Sequence, residues 1–312
     1  MTAPARPLRV VHHPIFGRHE PWRPHVEDSS RYRATARAVG AALELLGEQV
    51  EVEDPRCATA AELERLHTQR YVAQVLALAG EQAALDHETL LSEDSVEAAL
   101  AGAGACIDGA AAIMAGEVDR VVVLPRPPGH HAEADRAMGF CVFGNAALAA
   151  DAALRAGAKR VLVVDFDVHH GNGTEALLAD QPAAVTASFH SERLFPDNTG
   201  DHCSDAARGR YNRPLGPEAT GAELLAEVAR FLAREGEALA PELLIVAAGF
   251  DGHEEDVMSG WQVSTEDYAA LLAMLRNFAD EQCGGRILVT LEGGYDPVAL
   301  EACVLAMLKV LA

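Results

Sequence analysis

The chain has 312 residues, of which 49% are hydrophobic, and 47 acidic against 25 basic side chains give it a formal net charge of −22. That charge repels nucleic acid, so direct nucleic-acid binding is not expected; it favours approach of cationic small molecules or basic peptides, or simply keeps the protein dissolved. No run approaches the roughly 20 uninterrupted apolar residues of a membrane span, and Met1 to Arg9 lack the pattern of an export signal, so a cytoplasmic protein without a membrane partner is expected.

Nothing in the chain reads as a linker, and residues 1–312 are expected to form one domain. Cys57, Cys106, Cys141, Cys203, Cys283 and Cys303 show no CxxC spacing, which argues for reduced, mostly buried thiols and against a thiolate metal site or a disulfide scaffold.

In chain order, Leu8 to Val11 is a short β-branched run that reads as a buried strand. Helical spacing follows over Tyr32 to Leu46, Ala61 to Ala79 and Ser95 to Ala115. Val121 to Leu124 reads as a strand, Gly144 to Ala156 as a helix, and Val161 to Val164 and Ala184 to Phe189 as strands. Gly221 to Ala238 reads as a helix, Leu243 to Ala247 as a strand, Thr265 to Glu281 as a helix and Ile287 to Leu291 as a strand. The alternation predicts an α/β fold with a mainly parallel central sheet flanked by helices. Glycine and proline clusters at Pro125 to Gly129, Gly171 to Gly173, Gly249 to Gly252 and Gly293 to Pro297 follow predicted strands, the edge where open α/β sheets bind ligands.

Four of these strand ends carry chemistry. In Val163-Val164-Asp165-Phe166-Asp167-Val168-His169-His170-Gly171-Asn172-Gly173, the alternating Asp165, Asp167 and His169 would point to one side of an extended chain, and buried carboxylates of this kind call for a cation. The alternative is an acidic, histidine-rich surface turn. Asp251, after Ala247-Ala248-Gly249-Phe250, could complete a set of two carboxylates and one imidazole suited to zinc or another first-row divalent ion with an open position; alone it could be a turn residue or helix cap. His130 and His131 in Pro125-Arg126-Pro127-Pro128-Gly129-His130-His131 could form an acid/base pair, could ligate metal, or could be neighbours by chance. Tyr295 in Leu291-Glu292-Gly293-Gly294-Tyr295-Asp296-Pro297 could stabilise an oxyanion opposite a metal, or could cap the core at a turn.

Together RPPGHHA, VDFDVHHGNGT, AGFDGHEED and LEGGYDP, in this order and across most of the chain, resemble the histone deacetylase superfamily, which includes bacterial acetylpolyamine amidohydrolases. HHAEADRAMGFCVFGNAA, and Asn172 in HHGNG, are most similar to its class II branch. The resemblance implies an arginase/deacetylase-like fold and hydrolysis of an acyl amide, with one Zn²⁺ per chain on Asp167, His169 and Asp251. It implies His131 as general base and acid, oriented by Asn172, and His130 as an electrostatic partner supported by Asp165. Tyr295 would polarise the scissile carbonyl. A structural potassium ion would be held by Asp165, Ser188, Phe189 and the backbone of Asp167 and His169. Phe140 and Phe195, with Met258 and Gly294, would wall the tunnel for an acyl-lysine-like arm.

Substrate choice is less defined. Class II relatives carry GHPE and a following arginine near their start, where this chain has Pro24-His25-Val26-Glu27 and Arg31, with Trp22 in the same loop. Met258 stands where a polyamine-specific relative carries glutamate and lysine deacetylases carry Met or Leu, favouring an acylated lysine peptide or protein. The acidic run Glu254-Glu255-Asp256 and the net charge could instead draw in an acetylated polyamine, or the run could be a solvated loop face. A dinuclear manganese hydrolase would want a DxHxD pattern where this chain has DxDxHH, and a non-catalytic metabolite-binding module would have no need of both histidines and Tyr295.

Overall fold

The computed structural model describes residues 6–197, 199–201 and 205–312, so Cys203 and the extreme N-terminus lie outside the described residues. Its strands are β1 (Leu8–Val11), β2 (Val50–Glu53), β3 (Ala83–Ala84), β4 (Leu90–Leu91), β5 (Arg120–Val123), β6 (Val161–Asp165), β7 (Ala184–Ser191), β8 (Arg210–Leu215), β9 (Leu243–Ala248) and β10 (Ile287–Leu291). Eight of them form one sheet in the order β2-β1-β5-β10-β9-β6-β7-β8. Every pairing in it is parallel. The short β3 and β4 pair antiparallel, apart from the sheet.

The helices are α1 (Ile15–Arg18), α2 (Ser29–Leu46), α3 (Ala60–Leu63), α4 (Gln69–Leu76), α5 (Ser95–Ala115), α6 (Asn145–Arg155), α7 (Asn172–Leu177), α8 (Gly221–Phe231), α9 (Glu237–Leu239), α10 (Thr265–Gln282) and α11 (Pro297–Leu311). Strand residues alternate between two cores. Val122, Leu162, Val164, Leu244 and Val246 meet α2, α8, α10 and α11 on one face; Val121, Val123, Val161, Val163, Leu243 and Ile245 meet α4, α5 and α6 on the other. Each such fully buried side chain contributes about 2 kcal/mol. The central strands therefore have no polar face, which is why they read as continuous apolar runs.

The predicted α/β fold with a mainly parallel sheet is what the chain adopts, with differences at its margins. Strands β2 (VEVE) and β8 (RYNRPL) escape a search for apolar runs because they are the two edges, where one side of the ladder is free and charge or proline is tolerated. The helix expected over Ala61 to Ala79 is broken. Thr68 accepts a hydrogen bond from the amide of Tyr71 and caps α4 anew, and in the break the His67 ring contacts the Glu133 carbonyl and accepts from the amide of Gly144. The helix expected over Gly221 to Ala238 continues past Phe231 as a π turn, Leu232–Gly236, into α9. Helix α5 corrects the reading that no segment could span a bilayer: it is long and apolar enough, but most of it is buried, packed on α6 and the sheet as a core helix. Cys106, Cys141, Cys283 and Cys303 are buried free thiols and Cys57 is an exposed one.

Candidate active site

Because β5, β10, β9 and β6 are neighbours in the sheet, their carboxyl ends bring four distant loops together. From β6, the Asp165 carboxylate accepts from the amide of Asp167, and the Asp167 carboxylate from the amide of His169, which coils the chain so that Asp167 and His169 face Asp251. His169 Nδ1 lies 3.0 Å from Asp167 Oδ1 and 2.9 Å from Asp251 Oδ2. The three residues are buried and offer ligand atoms within 4.8 Å of one another. The amide of Gly293, beyond β10, donates to Asp167 Oδ2 at 2.8 Å, and that of Val168 to Asp251 Oδ1 at 3.0 Å. A Cβ at Gly293 would stand 2.3 Å from Asp251 Oδ2, so only glycine lets the backbone approach the carboxylates this closely.

The two adjacent histidines after β5 are separated electrostatically. His130 Nδ1 donates to Asp165 Oδ2 at 3.0 Å. Burial alone would lower its pKa, but the charges of Asp167 and Asp165 outweigh that and push it up to about 10. Burial, then the neighbouring His130 and His169, hold His131 well below the usual imidazole range. One ring is thus cationic and the other a neutral base at neutral pH, the division that acid/base chemistry needs. His131 Nδ1 lies 2.8 Å from Asn172 Oδ1.

Above the cluster is a cavity of about 130 Å³ lined by His131, His169, Tyr295, Phe140, Phe195, Met258, Gly139 and Glu88. The Phe195 ring stands edge-on to His131 at 5.0 Å and Phe140 edge-on to Tyr295 at 5.7 Å between centroids. Phe140 holds a left-handed backbone with φ of 68°, which costs a side-chain-bearing residue on the order of 1 kcal/mol. The Arg31 guanidinium lies over the Tyr295 ring at 4.8 Å. A larger cavity of about 430 Å³ lies against Leu194 and Pro196, with His170 and His190 in its wall, but it contains none of the cluster, nor His131 or Tyr295. The smaller cavity is therefore the candidate site.

Thus Asp165, Asp167, His169, Asp251, His130, His131, Asn172 and Tyr295 form one constellation, with Phe140, Phe195 and Met258 in the cavity wall. Gly294, expected in that wall, does not line it; its carbonyl instead accepts from Arg31 Nε at 2.7 Å. Ser188 faces Asp165 across β6 and β7, and its hydroxyl lies 2.9 Å from His190 Nδ1. Asp256 is not part of a solvated acidic run: it is buried, and its carboxylate accepts from the amides of Met258, Tyr295 and Asp296. Trp22, at 49% exposed, is absent from the cavity wall.

Two further carboxylates are buried near the site: Glu292, for which the sequence suggests no role, and Glu27, which stands in register with the GHPE segment of class II relatives. Glu292 accepts from the amides of Gly129 and His130 at 2.7 and 3.0 Å, holding the histidine loop to β10, and burial pushes it up to about 7. Its only sequence signal is an acid directly after a buried strand. Glu27 is fully buried between Arg126, Arg31 and His19. His130, Cys141 and Glu292 also bring ligand-type atoms together. Burial raises the Cys141 thiol well above its usual range, and His130 Nδ1 is hydrogen-bonded to Asp165.

The family profile described as a histone deacetylase domain matches residues 25–311. A histone deacetylase-like amidohydrolase of Pseudomonas aeruginosa is 36% identical over 257 residues, covering 80% of this chain and 68% of that one. A probable deacetylase of Methanothermobacter thermautotrophicus is 33% identical, covering 96% of this chain and 89% of its own. Histone deacetylase 15 of Arabidopsis thaliana is 34% identical, and this chain spans about half of its length, 53%. The crystal structure of the HDA15 HD domain superposes with a TM-score of 0.89 at 31% identity, covering 97% of this chain and 90% of that one.

Proposed function

Because the chain belongs to the histone deacetylase family, we propose that it is a zinc-dependent amidohydrolase that removes the acyl group from an acyl-lysine-like amine. The observation that carries this reading is the convergence of Asp167, His169 and Asp251 beneath a cavity that also holds a neutral His131 and the Tyr295 phenol. One imidazole and two carboxylates, with histidines as the carboxylates' only ion-pair partners among the described residues, fit a catalytic zinc site. The ion would supply a Lewis acid for the acyl carbonyl and for water.

The protein's own residues divide the remaining tasks. His131 accepts the proton of the attacking water and returns it to the leaving amine. The Tyr295 phenol, raised by burial and so a firm hydrogen-bond donor, meets the negative charge developing on the acyl oxygen, a role worth about 3 to 4 kcal/mol. His130, tied to Asp165, contributes positive charge beside it. Phe140 and Phe195 exclude water from an alkyl arm. A structural potassium ion belongs to the same proposal: the Asp165 and Ser188 side chains with the backbone carbonyls of Asp167, His169 and Phe189 would supply it with oxygen ligands alone. A cytoplasmic setting is supported by the free thiols.

An acetylated polyamine is the second reading for the substrate. It is favoured by Glu88, an exposed residue and the one carboxylate in the cavity wall among the described residues. The test is kcat/KM on acetyl-lysine peptides, longer acyl-lysines and N-acetylated polyamines, with a chelator control. Tyr295→Phe should lower kcat about 100- to 1,000-fold, and full activity in that variant or in Asp167→Ala sinks the assignment. Two tightly bound manganese ions per chain would overturn the zinc reading.

A further inference from the structure

Behind His131 runs a polar chain. Asn172 Nδ2 donates to Glu133 Oε1 at 2.8 Å and contacts Met138 Sδ at 3.5 Å. The other Glu133 oxygen is held by Arg136 at 2.8 and 3.0 Å. A primary amide has nearly the same shape whichever way it is turned, so packing alone does not decide whether Asn172 shows its oxygen or its nitrogen to His131. Its partners decide. A carboxylate and a thioether only accept, so the amide nitrogen faces them and the amide oxygen faces His131. An acceptor opposite Nδ1 places the imidazole proton on Nδ1 and leaves the lone pair on Nε2. A turned amide would set oxygen against carboxylate and nitrogen against imidazole, and would demand the other tautomer.

We propose that Glu133 is a positioning residue that, through Asn172, sets the tautomer of His131 with Nε2 as the free base. Its catalytic consequence rests on the reading of His131 as general base; the tautomer itself does not. Glu133 touches neither the cavity nor the metal cluster and acts only through the amide it orients.

The test joins a spectroscopic and a kinetic arm. In metal-free protein labelled with ¹⁵N-histidine and held at pH 8, with His131 assigned by a His131→Asn variant, the parent should show His131 protonated on Nδ1 alone. Glu133→Ala should show both tautomers. On acetyl-lysine peptide, Glu133→Ala should lower kcat about tenfold with KM within about twofold. Asn172→Asp sets a carboxylate against Glu133 and should lower kcat. Glu133→Gln added to it supplies the missing donor and should restore kcat about fivefold or more. An unchanged tautomer in Glu133→Ala, a loss carried by KM alone, or no rescue in the double variant overturns the inference. Should Glu133→Ala not fold, the rescue pair decides. A parent that hydrolyses no acyl amide but keeps the Nδ1 tautomer, mixed by Glu133→Ala, refutes the proposed function and leaves the positioning role standing.

Discussion

Loading the Asp167, His169 and Asp251 cluster with zinc should expel protons in a number that changes near pH 7. Without metal, burial and then the charge of Asp167 push Asp251 up to about 7. Burial would lower His169, but the hydrogen bonds and charges of Asp167 and Asp251 outweigh it and raise it to about 10. Asp167 is shifted the other way, held below its usual value by His130 and His169 against the pull of burial, and is ionised throughout. Ligation requires both carboxylates ionised and the imidazole neutral. Below pH 7 the metal-free protein therefore holds two protons that an ion must displace, and between pH 7 and 10 it holds one. Each displaced proton makes apparent affinity rise about tenfold per pH unit, so the rise should be about a hundredfold per unit well below pH 7 and about tenfold above it. Calorimetric titration of chelator-stripped protein, at pH 6 and pH 8 in buffers of different ionisation enthalpy, counts these protons directly. A count near zero at both pH values refutes the reasoning.

Other perturbations report on separate parts of the site. Gly293→Ala should weaken zinc binding about 10- to 100-fold in equilibrium dialysis with the circular dichroism spectrum retained, because its Cβ would meet Asp251 and Asp167 at 2.3 and 2.6 Å. Glu27→Gln leaves Arg126 and Arg31 buried without their anion and should cost about 3 to 5 kcal/mol in urea unfolding; a loss under about 1 kcal/mol would show that the charges are compensated elsewhere. Glu88→Ala should raise KM about fivefold for an acyl amine bearing a second ammonium group and leave a neutral substrate unchanged, with the difference fading at high salt.

What the sequence discloses follows from how each residue is held. Central strands such as Leu243–Ala248 are buried on both faces and read directly as apolar runs, whereas Arg210–Leu215 is an edge whose polar composition hides its pairing. Asp167, His169 and Asp251 stand out because polar residues at the end of a buried strand need a reason. Glu292 shares that position, but its role and that of Glu133 depend on partners that only the fold brings near: Gly129 lies 163 positions from Glu292, and Asn172 lies 39 from Glu133. Asp256 shows the converse error. Within an acidic run it reads as solvated, yet three backbone amides claim its carboxylate and bury it.

The register of β6 against β9 has a further meaning. Asp165 pairs with Ala247, and Asp167 and Asp251 lie in the turns just beyond the ends of these adjoining strands. Neighbouring strands are spaced about 4.8 Å apart by their own hydrogen bonds. The ladder thus fixes how far apart the two turns that carry Asp167 and Asp251 begin. Slippage of β6 against β9 by one residue would shift the start of one turn by about 3.3 Å and turn the strand's own side chains to the opposite face. The span open to an ion held by Asp167, His169 and Asp251 would therefore depend on strand pairing before it depends on any side chain.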